Sequence, residues 1–196
     1  MTTYNIADIA AAADRPSKIQ IPGIYSGFKI AKTELTEKYM DMEFFAPDIN
    51  KMHEMRLYTT ANTDWQGNPR SAEDTAKAES KIIAKLIEIC RAVGDIKDLE
   101  SLTGDYKTLL VKLFKYIETK APKALVNLKI HQAGEWTKVS SNLGSIEKHI
   151  SGQDPKLYFT PWEIDQKWNI PHTASSSTST TSTSMTSAAV TDILPF

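Results

Sequence analysis

Along three strand-like stretches, aromatic and cationic side chains share the positions that alternate with apolar ones. Tyr25 falls with Lys29, Tyr39 with Phe45, and Arg56 with Tyr58. That mixture suits one kind of chemistry, the noncovalent capture of a single-stranded polyanion. Cations follow the phosphates, and exposed rings stack on bases at roughly 1–3 kcal/mol per stack. The stretch 60–70 adds Trp65 and Arg70 in a Gly-, Asn- and Pro-containing setting where a large ring has little to pack against. Later, Lys129 and His131 alternate with Val126, Leu128 and Ile130, and Trp136 and Lys138 follow a turn at Gly134. The candidate binding set is therefore Tyr25, Lys29, Tyr39, Arg56, Tyr58, Trp65, Arg70, Lys129, Trp136 and Lys138. Packing is the competing role. Tyr25, Tyr39 and Tyr58 would then cover a sheet face, Phe45 would join the core, and Trp162 and Trp168 would pack near the domain end. Five lysines from Lys107 to Lys123 make one helix basic, as solvated helical faces commonly are.

Catalytic constellations are not legible. His53, His131, His149 and His172 have none of the close pairing typical of a zinc site. Gly94 and Gly104 stand alone and read as a helix stop and a turn, not as a phosphate loop. Asp41 and Glu43 share a strand face and could hold a metal, but solvated strands carry such pairs commonly. Cys90, the only cysteine, sits in an apolar helical stripe and reads as core, which excludes an internal disulfide and a cysteine-based zinc site. The expectation is a protein that is not an enzyme and uses no metal or cofactor.

Composition narrows the class. The chain has 196 residues, 41% hydrophobic and 24% charged, which suits one globular domain with a tail. A net charge of -1 means that any nucleic-acid site is a local patch. Residues 1–14 have no basic start and no long apolar stretch, so a signal peptide is not expected. No segment approaches the ~20 apolar residues that cross a bilayer, and the expected location is cytoplasmic, without membrane partners.

The far end has its own chemistry. Residues 173–190 are almost wholly Ser, Thr and Ala apart from Met185 and Val190, and such a tract is expected to be a disordered linker. Residues 191–196 follow. Asp192 and the terminal carboxylate suit a basic partner surface, while Ile193, Leu194, Pro195 and Phe196 suit an apolar pocket. A partner-binding tip fits this arrangement.

The positioning elements read as follows. Residues 1–17 are expected to be flexible. Ile24, Ser26, Phe28 and Ile30, then Met40, Met42 and Phe44, then His53, Met55, Leu57 and Thr59 mark three alternating strands. Pro47 to Asn50 turn between the second and third. Ser71 is the expected N-cap of a helix carrying Ile82, Ile83, Leu86, Ile87 and Cys90, which Gly94 stops. Leu109, Leu110, Leu113, Phe114 and Ile117 mark a second helix, and Pro122 follows it. Strand character returns at 125–131 and 136–139, with a last apolar run at Leu157, Tyr158 and Phe159. The class is α+β, mainly β. Periodicity alone fits two architectures: a five-stranded barrel interrupted by a helical insertion at 71–121, or an open sheet with helices on one face.

A resemblance chooses between them. From 20 to 170 the chain resembles phage-type single-stranded DNA-binding proteins in three features: the Pro22-Gly23-Ile24-Tyr25 lead into the first strand, the helical insert closing on 89–94, and the Lys129-Ile130, Gly134-Glu135-Trp136 hairpin. The tip resembles the Asp-Ile-Pro-Phe-like end of bacterial and phage proteins of this kind. It departs in having Leu194 before Pro195 and a single acid, Asp192. The resemblance implies an oligonucleotide/oligosaccharide-binding (OB) fold at 18–172. It also implies sequence-independent coating of single-stranded DNA in phage replication and recombination, with recruitment of replication, recombination or repair proteins through the tip. The host cytoplasm would be its location. A virion or adaptor protein without nucleic-acid function is the alternative, and a recombination mediator or annealing protein a third.

Overall fold

The computed structural model describes residues 16–64, 66–99, 101–133, 136–165 and 172–173. Its framework is set by one long strand, β2 (Gly23–Leu35), that two β-bulges bend. Against β5 (Leu125–Ala133) the ladder slips between Tyr25 and Phe28, where Gly27 adopts a positive φ of 78°. Against β3 (Tyr39–Ala46) it slips between Ile30 and Lys32. An extra residue in one strand increases twist and bend, so β2 curls the sheet that pairs on both its sides. The first slip also breaks the expected parity, since Ile24 is buried and Ser26 is exposed.

β3 and its neighbour β4 (Lys51–Tyr58) keep the alternation. Met40, Met42, Phe44 and Ala46 point inward, as do Met55 and Leu57. Phe45 falls on the other face and is half-buried, which corrects its assignment to the core. The turn between these strands is a short 3-10 stretch ending at Asn50, which takes the left-handed conformation at φ 47°.

The sheet runs β1-β4-β3-β2-β5-β6, where β1 is Ser17–Lys18 and β6 is Trp136–Val139. Two further short strands, β7 (Ile146–Lys148) and β8 (His172–Thr173), pair with β5 and β2. Thr173, expected in the linker, is thus the second residue of β8. The sheet curls far enough for its edges to meet through side chains. His53 of β4 accepts the Glu54 amide at Nδ1, so Nε2 carries the ring proton and donates to Thr137 Oγ1 of β6 at 3.1 Å. The Thr137 hydroxyl in turn donates to the Ile19 carbonyl next to β1. Burial holds His53 below the ordinary histidine range, consistent with a neutral ring in this relay.

Two helices lie between β4 and β5, within the expected insertion: α1 (Ala72–Val93) and α2 (Tyr106–Lys120). Ser71 caps α1 by accepting the Asp74 amide at 3.1 Å, and Asp105 caps α2 by accepting the Thr108 amide at 2.8 Å. Ile82, Leu86, Ile89, Cys90, Leu113 and Ile117 join the core with the inward residues of the sheet. Cys90 is core as expected, its thiol pushed up to about 12 by burial. The class is therefore α+β, built on a curled half-barrel sheet.

One face departs from the sequence reading. Val126 to His131 are all buried, so β5 is covered outside as well as inside. A strap over residues 149–165, which ends in the short helix α3 (Pro161–Asp165), contributes to this cover, with His149 on Asn127 and with Tyr158 and Glu163 on Lys129. The apolar run 157–159 is not a strand but part of this strap. Trp162, expected to pack, is 60% exposed, and Trp168 lies outside the described residues.

Candidate nucleic-acid interface

The outer face of β2, β3 and β4 carries the densest group of candidate residues, and strand register decides which of them meet. Tyr39 stands opposite Tyr58, and Asp41 opposite Arg56. The two tyrosine rings pack edge to face at 6.5 Å and 77°. Arg56 lies with Cζ 4.0 Å from the Tyr39 ring centroid and donates to both Asp41 oxygens, Nε at 2.7 Å and Nη2 at 2.6 Å. That fork holds the guanidinium flat, and the Asp41 carboxylate favours its charged form. Tyr58 remains 63% exposed at the end of the ladder. The result is a preordered aromatic–cation stack on an open sheet.

The charges around it are balanced. Lys29 faces Phe45 across the ladder, Lys32 faces Glu43, and Glu34 faces Asp41. Lys32 pairs with Glu34 at 3.0 Å, and Lys18 with Glu54 at 3.2 Å. Glu34, Asp41, Glu43 and Glu54 thus match Lys18, Lys29, Lys32 and Arg56 in number. A face so balanced in charge offers a polyanion little counterion release, and what it presents instead is exposed ring surface for stacking. Asp41 entered the sequence reading only beside Glu43 as a metal pair. Its role as the clamp on Arg56 depends on the β3–β4 register, for which composition carries no signal. Among the described residues no group of three or more His, Cys, Asp or Glu is arranged to hold a metal ion.

The other candidates disperse. The Tyr25 hydroxyl donates to the Ile21 carbonyl at 2.8 Å, and its ring is half-buried against the core. Arg70 spans its own loop, Nη1 donating to the Ala61 carbonyl at 2.9 Å. Asp64 organises that loop by accepting the Gln66 and Asn68 amides, each at 2.8 Å. Trp65 lies outside the described residues. On β6, Trp136 is 71% exposed and Lys138 is exposed, flanking the Thr137 that joins the sheet edges.

Lys129 is the correction. It is 2% exposed, and its ammonium donates to both Glu163 oxygens, at 2.7 and 2.9 Å, and to the Tyr158 carbonyl at 3.1 Å. The Phe159 ring lies 5.5 Å away. A cation so enclosed fastens the strap to β5 and has no path to a phosphate. His131, read with it as outward and available, is 2% exposed as well, and burial holds it down at about 4.

Asp192, Ile193, Leu194, Pro195 and Phe196 lie outside the described residues. No helix among the described residues is long and apolar enough to cross a membrane. Comparison with protein-family models, curated proteins and solved structures gave no match for this chain.

Proposed function

We propose that the chain is a non-enzymatic, sequence-tolerant single-stranded DNA-binding protein of phage type, with the outer face of β2, β3 and β4 as its stacking surface. The observation that carries the reading is the exposed Tyr58–Tyr39–Arg56 stack on an open sheet. The strand order β4-β3-β2-β5-β6, with both helices between β4 and β5, supports an OB-like barrel. In that architecture this same outer face meets oligonucleotides. The protein would coat exposed strands in the cytoplasm and recruit replication, recombination or repair enzymes through residues 191–196. One observation favours the alternative of a protein adaptor, namely the four acids on the face itself.

Fluorescence anisotropy with labelled oligo-dT decides between them. Binding should be tighter than to duplex of equal length and should weaken only modestly with salt, because most cations of the face already have carboxylate partners. Tyr58→Ala should lower affinity by roughly 1–3 kcal/mol without changing the fold. Equal or tighter binding to duplex, or no binding, would reject the reading.

A further inference from the structure

A cleft of about 1020 Å³ separates the end of the sheet from the helices. It opens one residue beyond Tyr58. Thr59, Thr60 and Ala61 form one wall, and Thr36 and Glu37 of the β2–β3 turn form another. Glu79 of α1 with Tyr106, Leu110 and Val111 of α2 close the far side. The cleft is tied firmly to the stacking face. Thr36 donates to the Tyr39 carbonyl through its amide at 2.9 Å and its hydroxyl at 3.0 Å, and the Thr59 amide donates to the Lys38 carbonyl at 2.9 Å. Across the cleft, Tyr106 donates to the Thr59 carbonyl at 2.5 Å. Burial and the Glu79 carboxylate push this phenol up to about 12, so it stays a donor. The Thr59 hydroxyl, in a residue 6% exposed, has no hydrogen-bond partner among the described residues.

The lining selects among the parts of a nucleotide. Leu35, Leu110 and Val111 offer apolar walls to a flat ring, and Thr36, Thr60 and Asn62 offer neutral hydrogen-bonding groups. Two carboxylates, Glu37 and Glu79, oppose a phosphate but accept hydrogen bonds from an exocyclic amino group. Among the described residues Lys107 is the only cation in the lining. The volume is ample for one nucleotide. Resting on the single-strand reading, we propose that this cleft receives one unstacked, amino-bearing nucleobase of the strand that passes over Tyr39 and Tyr58. Binding is then sequence-tolerant along the face and selective at one position, against thymine.

The test compares oligo-dC and oligo-dT of equal length at neutral pH by anisotropy. A carboxylate–amino contact discriminates by roughly tenfold, so oligo-dC should bind at least about fivefold tighter. Glu37→Gln with Glu79→Gln should bring the ratio close to one. Val111→Trp, at an exposed position that tolerates a large ring, should weaken oligo-dC more than oligo-dT by filling the cleft. Tyr58→Ala should weaken both alike. Tight binding of both oligonucleotides with a wild-type ratio near one overturns the cleft and leaves the stacking reading intact. A cleft that instead takes a basic protein segment gives that same ratio. Absence of binding to either oligonucleotide overturns both.

Discussion

The Glu163→Gln substitution puts the strap to the sharpest test. The Lys129 and Glu163 side chains are 3% and 9% exposed, joined by two hydrogen bonds of 2.7 and 2.9 Å. Glutamine keeps the volume but leaves a buried ammonium with only the Tyr158 carbonyl, an amide oxygen and the Phe159 ring. Stranding one member of a buried pair costs about 3–5 kcal/mol. Against a total stability of roughly 5–15 kcal/mol that is a large fraction. At ~2–4 °C per kcal/mol for a domain of this size, Tm should fall by about 10 °C. Lys129→Met should cost less, because the carboxylate it leaves still accepts the Thr160 amide at 2.7 Å. The double variant, with no buried charge, should recover much of the loss. Urea unfolding followed by circular dichroism measures the three values, and hydrogen exchange at 149–163 reports whether the strap lifts first. If Glu163→Gln unfolds within about 1 kcal/mol of the parent and the strap stays protected, the buried-pair reasoning is wrong.

Acid should destabilise the fold through His131. Burial lowers its folded pKa to about 4, so between the ordinary 6.5 and that value the unfolded chain binds the extra proton. At 1.36 kcal/mol per unit, about 3 kcal/mol is lost as pH falls through that window, and His131→Gln should flatten the slope. A flat stability profile from pH 6.5 to 4.5 in the parent would contradict this. Glu88 pins 144–146 to α1 by accepting the Gly144, Ser145 and Ile146 amides at 3.2, 3.0 and 3.0 Å, and it pairs with buried Lys85. Glu88→Gln should cost about 3 kcal/mol and loosen β7 in hydrogen exchange, whereas unchanged protection there would dismiss the latch. Deleting 192–196 should spare oligo-dT binding and end capture of replication or repair enzymes. The Ser/Thr/Ala-rich composition of 174–190 is that of a flexible coil, and a coil of about 17 residues would span roughly 20–25 Å, enough to carry a tip clear of bound DNA. Recovery of the same partners without the tip would refute that role.

Local patterns carried the secondary structure because their causes are local. Met40, Met42 and Phe44 alternate since successive side chains of a strand leave opposite faces, and β3 keeps that parity throughout. Ser71, Gly94 and Pro122 bracket two helices because caps and breakers act within a few residues of themselves. What the sequence did not reveal depends on distant partners. The bulge at Gly27 shifts parity midway along β2, and a three-residue strand such as β7 has too short a period to read. Arg56 meets Asp41 only through a register set by the turn ending at Asn50. Lys129 alternates with apolar neighbours as any outward lysine would. Its burial was decided 34 residues further on, where Glu163 supplies the carboxylate that makes an enclosed ammonium tolerable.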